Sequence, residues 1–236
     1  MPLGVTPDAG PVAQRRIAPD APAGPDAPDV ESFMTTPRDL LFVAMDVESS
    51  RTVERGDLSL ALAGAELIDL LAAQAVSLDG ERIVPGYRPS VADRLMDEAA
   101  SSLDQQPPYE SVGDWLWRRG RGLATAYLAA LEAEGQLTQP RRRWMRFRTG
   151  ELTLADTAAR REAADRWTSG EPVLVSLVTA LGLRGERTDN PPDVADEAVA
   201  TVLAAVHGSV RELGIERQRR AIDEEAFSNI WRGPDG

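Results

Sequence analysis

The residues with the clearest chemical potential form one short basic stretch, "QPRRRWMRFRTGE", from Gln139 to Glu151. It places five arginines around Trp144, Met145 and Phe147. A guanidinium group can hold a phosphate through two parallel hydrogen bonds, and tryptophan is favoured at the headgroup depth of a bilayer. The stretch therefore predicts contact with an anionic, phosphate-bearing surface.

The basic stretch belongs to a wider cationic window in an acidic chain. Between residues 118 and 148 there are eight arginines and two acidic residues, so this window carries +6; the whole chain carries −12, and the remaining residues therefore carry −18. Segregated charge of this kind concentrates a positive potential and attracts anions. The arginines are Arg118, Arg119, Arg121, Arg141, Arg142, Arg143, Arg146 and Arg148.

Alternation along the basic stretch predicts a hairpin strand with mixed faces. Successive side chains of a strand point to opposite sides, so Arg142, Trp144, Arg146 and Arg148 share one face, and Arg141, Arg143, Met145 and Phe147 share the other. Cations interleaved with aromatic residues are typical of a membrane interface, where each arginine contributes on the order of 1 kcal/mol. Three alternatives remain: a structural hairpin whose arginines pair with this chain's acids, a docking site for another protein, and nucleic-acid binding. Overall acidity disfavours the last.

The residues that enzymes commonly use are scarce. The chain has no cysteine and a single histidine, His207, which lies in the apolar segment "AAVHGSV" and is interpreted as a packing residue. No phosphate-binding glycine loop or G-x-S-x-G elbow occurs. Carboxylates one helical turn apart, such as Asp93 and Asp97, are typical of a solvated helix face. We therefore predict a protein that is not an enzyme and that holds no metal or cofactor.

Composition divides the chain into a tail and one folded domain. Residues 1–34 are rich in proline, glycine and alanine and have no apolar periodicity, which predicts a disordered tail. Residues 35–232 contain apolar repeats at helical spacing and are predicted to form a single helical domain. No signal peptide and no uninterrupted apolar run of about 18 residues is evident. These features predict a cytoplasmic protein, soluble or peripheral to a membrane.

Local patterns predict a mainly α fold with two small β-hairpins, the second of which projects and is rich in arginine. Thr36 and Ser111 are expected to cap helices, Gly135 to end one, and Asp79-Gly80 to form the first hairpin turn. The last two helices are predicted to be separate. The predicted helices cover about 36–45, 57–73, 91–103, 111–118, 121–135, 155–167, 172–183, 194–213 and 215–231.

The order of four segments resembles the Golgi phosphoprotein 3 family, including its bacterial members, from about Thr36 to Trp231. "LALAGAELIDLLAAQAVSLDGERI" is similar to the family's first core helix and hairpin. "QPPYESVGDWL" is similar to its Pro-Pro segment and tryptophan helix. "YLAALEAEGQLT" and "RRRWMRFRTGELT" are similar to its later helix and projecting hairpin.

The resemblance implies a helical, non-enzymatic protein that binds phosphatidylinositol 4-phosphate at membranes. The family's lipid pocket uses one tryptophan and three arginines, and these positions fall here at Glu54, Ala63, Arg121 and Ala124. Arg121 alone keeps the family's residue type. The nearby cations that could replace the others are Arg51, Arg55, Arg118 and Arg119.

The resemblance also assigns a role to the basic stretch. In the family this hairpin contributes to membrane insertion and self-association. Here its tip is rich in arginine, which favours adsorption to a charged surface over deep insertion. The implied partners are anionic phospholipid headgroups, with a second copy or another protein as the alternative.

Overall fold

The computed structural model describes residues 35–46, 53–87, 93–138, 153–183 and 194–231. Within these residues the chain is mainly helical. The helices are α1 (Thr36–Asp46), α2 (Arg55–Ala72), α3 (Arg94–Ser101), α4 (Val112–Arg119), α5 (Leu123–Ala133), α6 (Ala158–Thr168), α7 (Pro172–Ala180) and α8 (Glu197–Trp231). The predicted tail (1–34) and the basic stretch (139–151) lie outside the described residues.

Two small antiparallel sheets accompany the helices. Strands β1 (Val76–Asp79) and β2 (Arg82–Pro85) form the first, and β3 (Leu137–Thr138) and β4 (Thr153–Leu154) form the second. In the second sheet Leu137 pairs with Leu154 and Thr138 with Thr153. The predicted fold class, mainly α with small hairpins, is confirmed.

Helix α2 lies at the centre of the core because its side chains are apolar on nearly all sides. Every residue from Leu58 to Ile68 is buried, and α2 packs against α1, α4, α5 and α8. Gly64 allows the closest of these approaches: a Cβ atom there would lie 2.3 Å from Cγ2 of Val206 on α8. A small residue is therefore required where α2 and α8 cross.

Polar contacts anchor α1 to the rest of the core. The backbone amide of Thr36 donates to Oδ2 of Asp69 at 2.8 Å, and the buried carboxylate of Asp39 forms an ion pair with Arg166 on α6. Burial raises the pKa of Asp39 to about 6, against the opposing effect of Arg166. Burial likewise raises the pKa of Asp69 to about 6, opposed by its hydrogen bond with Thr36.

Two of the three predicted helix ends are confirmed by the geometry. Oγ of Ser111 accepts from the amide of Asp114 at 3.1 Å, which caps α4 as expected. Gly135 follows α5 with a φ of 72°, a conformation that glycine adopts without steric cost. The cap predicted at Thr36 is one residue too late: Thr36 is the first residue of α1, and the carbonyl oxygen of Thr35 accepts from the amide of Asp39 at 3.1 Å.

Two further sequence predictions are corrected. In the first hairpin, Asp79 pairs with Arg82, so the turn consists of Gly80 and Glu81 and begins one residue later than predicted. The predicted break between Leu213 and Ile215 is absent, because α8 runs through Gly214 to Trp231 as one helix of 35 residues. Contacts on both sides of Gly214 hold the helix together: Leu213 packs near Gly56, and Arg217 pairs with Asp57.

Helix α8 also has a composition that the sequence prediction did not single out. From Glu197 to Glu225 it is long and apolar enough, by length and composition alone, to cross a membrane. Helices that pack inside folded proteins meet the same criteria. Val202 and Val206 of this helix are fully buried, and its main contacts are with α2, α4 and α7.

Candidate anion-binding site

Arg121 lies in the three-residue turn that joins α4 to α5. Its backbone amide approaches the carbonyl oxygen of Arg118 at 3.5 Å, and the next residue, Gly122, is the N-cap of α5. The Arg121 side chain is exposed and has no ion-pair partner among the described residues. A guanidinium group beside the positive end of a helix is well placed to attract an anion.

Arg55 is the first residue of α2, the helix that contacts this turn through Ser59. One helical turn further along, Oγ of Ser59 accepts from the backbone amide of Ala124 at 3.1 Å. This bond joins the α2 face that carries Arg55 to the first turn of α5, just after Arg121. Arg55 is exposed and, like Arg121, forms no ion pair within the described part of the chain. We call Arg55, Arg121 and the first turn of α5 the α2–α5 edge.

Gly120 brings the α4–α5 turn against α2. A Cβ atom at this position would lie 3.3 Å from the carbonyl oxygen of Ser59 and 2.5 Å from that of Leu116. The turn that carries Arg121 is therefore fixed against the helix that begins with Arg55.

Arg118 is occupied by contacts within the fold. Its Nε and Nη2 atoms donate to the two carboxylate oxygens of Glu110 at 2.7 Å each, and Nη2 also donates to the carbonyl oxygen of Ser102 at 3.1 Å. The guanidinium group lies 5.2 Å from the centre of the Trp115 ring. The hydrogen bonds with Glu110 raise the pKa of Arg118 above its usual range.

Arg119 is more buried than Arg118, and its contacts lie deeper in the fold. It donates to both carboxylate oxygens of the fully buried Glu66, at 2.7 and 2.8 Å, and to the carbonyl oxygen of Leu95 at 2.9 Å. The hydroxyl group of Tyr127 donates to the same Glu66 carboxylate at 3.0 Å. Burial raises the pKa of Glu66, and Arg119 opposes that rise.

The remaining family-pocket positions are not cationic, and two of them are buried. Ala63 is fully buried, and its carbonyl oxygen accepts from Nε1 of Trp115 at 3.1 Å. Ala124 is also buried. The Glu54 side chain is 64% exposed and lies 3.9 Å from Nη1 of Arg217.

Arg217 is a cation near this site that the sequence did not indicate. It comes from α8 and donates to both oxygens of Asp57 on α2, at 2.8 and 2.7 Å. It is separated from its partner by 160 residues, and no local pattern marks such a contact. Because Asp57 already neutralises it, Arg217 supports the start of α2 and adds little free positive charge to the α2–α5 edge.

The structure thus separates the sequence-predicted site residues into two groups. Arg55 and Arg121 are exposed, and each is within four residues along the chain of a residue in the contact between Ser59 and Ala124, whereas Arg118 and Arg119 are paired with Glu110 and Glu66. Lipid contact by any of the four stays a prediction. The other predicted membrane-facing residues, Arg141, Arg142, Arg143, Trp144, Met145, Arg146, Phe147 and Arg148, lie outside the described residues.

Two further observations concern metal binding and His207. No group of three or more metal-binding side chains occurs in the part of the chain that the structure describes. Nε2 of His207 lies 3.2 Å from Oγ of Ser176, but Ser176 is 1% exposed, so a substrate could not reach it. This contact fits the interpretation of His207 as a packing residue.

Comparison with models of known protein families gives one match. The sequence model for the family described as Golgi phosphoprotein 3 (GPP34) matches residues 37–224, which is most of the chain. The match runs from α1 into the last third of α8 and includes both Arg55 and Arg121. No curated protein matches the chain.

Proposed function

Since this chain belongs to the Golgi phosphoprotein 3 family, we propose that it is a peripheral membrane protein that binds anionic phospholipid headgroups and catalyses no reaction. Membership in the family suggests a function like that of the Golgi phosphoproteins. The finer proposal concerns the ligand, which is a phospholipid with a phosphorylated headgroup such as phosphatidylinositol 4-phosphate. The proposed location is the cytoplasmic side of a membrane, and the proposed folded domain covers residues 35–232.

The observation that carries this proposal is the pair of exposed cations on the α2–α5 edge. The chain is strongly acidic, and many of its described arginines pair with carboxylates, as Arg118, Arg119 and Arg217 do. Arg55 and Arg121 have no such partner in the described residues. Arg121 directly precedes the N-cap of α5, and Arg55 lies one helical turn before Ser59, which contacts the first turn of α5. Two free cations beside a helix N-terminus favour a phosphate group.

Of the four pocket residues that the family resemblance implies, this chain keeps only Arg121. Where the resemblance places a tryptophan and two further arginines, this chain has Glu54, Ala63 and Ala124. The proposed binding therefore depends on charge at Arg55 and Arg121, and we expect weak discrimination among anionic headgroups. The basic stretch at residues 139–151 is proposed to supply additional contacts with the bilayer surface.

Vesicle co-sedimentation tests the proposal. The full chain is mixed with three preparations of phosphatidylcholine vesicles. The first contains no anionic lipid, the second contains phosphatidylserine, and the third contains phosphatidylinositol 4-phosphate. We expect binding only to the two anionic preparations, and at least about a tenfold loss for the double variant Arg55→Glu/Arg121→Glu, since each arginine contributes on the order of 1 kcal/mol near an anionic surface.

A matched control separates a specific edge from general charge. Arg94→Glu/Arg161→Glu makes the same change in net charge at two exposed arginines on α3 and α6, whose side chains are 68% and 70% exposed. We expect this control to lose much less binding. Equal binding to neutral vesicles, or equal losses in both double variants, would contradict the proposed site.

A second candidate function is an adaptor that uses the basic stretch to dock a protein partner or a second copy. Its support is the sequence of residues 139–151, because arginine and tryptophan are enriched at interface hot spots. Deletion of residues 141–148 distinguishes the two functions. If the deletion removes self-association and leaves vesicle binding unchanged, the basic stretch acts in docking.

A further inference from the structure

A groove of about 530 Å³ separates Trp117 on α4 from one face of α8. The opposite face of α8 packs into the core through Val202 and Val206, which are fully buried. Gly208 lines the groove, and a Cβ atom there would have no neighbour within 4 Å. The groove, which we call the α4–α8 groove, is therefore open and lies outside the packing that holds α8 to the core.

Two large apolar side chains line this groove and are exposed: Trp117 at 39% and Ile215 at 47%. Trp115, two residues before Trp117, is fully buried, and its indole N–H donates to the carbonyl oxygen of Ala63. Trp117 has no hydrogen-bond partner among the described residues. An accessible tryptophan with an available N–H donor is typical of the residues that dominate binding at an interface.

Three groove residues, Arg211, Ile215 and Arg219, follow one another at intervals of four residues and form a single row along α8. The row spans roughly 12 Å. Both arginines are exposed, and neither has an ion-pair partner in the part of the chain that the structure describes. Arg220, by contrast, lies 3.4 Å from the carboxylate of Glu216. The basic row (Arg211, Ile215 and Arg219) therefore presents one apolar side chain between two available cations.

The spacing of the basic row defines the chemistry of a complementary partner. A helix that carries acidic residues four positions before and four positions after an apolar residue has the same spacing. Its two carboxylates would face Arg211 and Arg219, while its apolar residue would meet Ile215 and Trp117. Because the row is symmetric about Ile215, the charges match in either direction of the partner helix.

The walls of the groove favour a helix over an extended segment or a bilayer. Both walls are helices, whose backbone groups are already hydrogen-bonded, so an extended segment would find no backbone partners there, whereas a helix satisfies its own. Glu212 also lines the groove, is exposed, and has no ion-pair partner within the described residues. An anionic bilayer would repel this carboxylate, and a flat surface would not enter the groove.

We propose that the α4–α8 groove docks an acidic amphipathic helix of another protein, in which an apolar residue has a carboxylate four positions away on each side. A single helix in this groove buries less than the roughly 1,600 Å² of a standard interface, so we expect a weak and reversible complex. The proposal goes beyond lipid binding and does not depend on it, because Arg55 and Arg121 do not line the groove.

Fluorescence anisotropy with synthetic peptides and the full chain tests the groove. The acidic probe is a labelled, alanine-based helical peptide of about 17 residues with a leucine and a glutamate four positions away on each side. The control peptide has the same composition, but its glutamates lie two positions from the leucine, on the opposite side of the helix. We expect the wild type to bind the acidic probe at least about tenfold more tightly than the control peptide.

A charge reversal tests the role of the basic row. We expect Arg211→Glu/Arg219→Glu to bind the acidic probe at least about tenfold more weakly than the wild type, because two attractive contacts become repulsive. The same variant should bind a peptide with lysines in place of the glutamates more tightly than the wild type does. Arg94→Glu/Arg161→Glu is the matched control, since it makes the same change in net charge at two exposed arginines of α3 and α6.

An uncharged substitution tests the other wall. Trp117→Ala should weaken binding of the acidic probe about tenfold or more, because the leucine of the probe loses its aromatic contact. Circular dichroism checks that each variant keeps its helical content.

Several results would overturn the proposal. They are a wild type that binds neither peptide or binds both equally, equal losses in the two double variants, no gain with the lysine peptide, and unchanged binding in Trp117→Ala. If Arg211→Glu/Arg219→Glu instead alters binding to anionic vesicles or the sedimentation of the chain alone, a bilayer or a second copy covers the groove, and the proposed partner is wrong.

Discussion

Arg119 and Glu66 form a buried ion pair across the contact between α4 and α2, with Nε 2.7 Å from Oε2 and Nη2 2.8 Å from Oε1. The Glu66 side chain is fully buried and also accepts from Tyr127. A phosphate that bound Arg119 would have to displace this carboxylate. The neighbouring Arg121 is exposed, which is why we propose Arg121 rather than Arg119 as the contact for an anionic headgroup.

Removing Arg119 is expected to destabilise the fold strongly. Arg119→Ala leaves Glu66 buried without its cation, and loss of one partner from a buried pair costs about 3–5 kcal/mol. Urea unfolding followed by circular dichroism measures this change. Arg118→Ala is the comparison: the Arg118 side chain is 42% exposed and its partner Glu110 is 9% exposed, whereas Glu66 is fully buried, so we expect a smaller loss for Arg118→Ala. Similar losses in the two variants would argue against a structural role specific to Arg119.

The buried carboxylate of Asp69 gives a prediction about pH. Its pKa is about 6 in the folded chain, above the ordinary value of 3.8. Between about pH 4 and pH 6, Asp69 therefore keeps its proton in the folded chain and has lost it in the unfolded chain. This contribution to stability is present at low pH and is lost as the pH rises through about 6. Between pH 5 and pH 7 the loss is about 1 kcal/mol.

The substitution Asp69→Asn removes that titration and keeps an oxygen that can accept from Thr36. We expect the unfolding free energy of the variant to fall by about 1 kcal/mol less than that of the wild type between pH 5 and pH 7. Chemical denaturation at both pH values provides the comparison. Asp79→Asn, at the exposed end of β1, should keep the wild-type dependence, and a wild-type slope in Asp69→Asn would contradict the prediction.

Local chemistry explains which parts of the fold the sequence predicts well. The Ser111 cap and the glycine after α5 depend on neighbouring residues, and both are found as expected. The continuous α8 is missed because Gly214 is a local signal for a helix end, whereas the contacts of Leu213 and Arg217 with the start of α2 are distant in sequence. Tertiary packing overrides the local preference there.

The candidate site shows the same division between local and distant information. The sequence places Arg118, Arg119 and Arg121 within one short segment, but it does not reveal which of them is free. Glu66 is 53 residues from Arg119, and a chain with 26 basic and 38 acidic residues allows many alternative pairings. Only the packing of α2, α4 and α5 selects among them and leaves Arg121 exposed.

Charge in the basic stretch is expected to matter more for membrane binding than its apolar residues. Arg142→Ala/Arg146→Ala removes two guanidinium groups, and we expect it to reduce binding to anionic vesicles about tenfold or more, since each contributes on the order of 1 kcal/mol. Trp144→Ala/Phe147→Ala is the comparison and should reduce binding less. Co-sedimentation at low and high salt tests the cause, because screening weakens electrostatic adsorption. A larger loss in the aromatic variant would indicate insertion into the bilayer.

The close contact between Gly64 and Val206 gives a prediction about the core. A Cβ atom at Gly64 would lie 2.3 Å from Cγ2 of Val206, so Gly64→Ala forces α2 and α8 apart. We expect a loss of about 1–3 kcal/mol from overpacking, although alanine normally stabilises a helix interior relative to glycine. Val206→Ala removes the opposing methyl groups and should make Gly64→Ala less costly.

The double variant measures this coupling directly. If the two helices meet at this point, Gly64→Ala/Val206→Ala is less destabilised than the sum of the single variants, with a coupling energy of about 0.5–3 kcal/mol. Gly208→Ala serves as the control, because a Cβ atom there has no neighbour within 4 Å and should leave stability unchanged or slightly raised. Additive losses at Gly64 and Val206 would mean that α2 and α8 do not cross at this pair of residues.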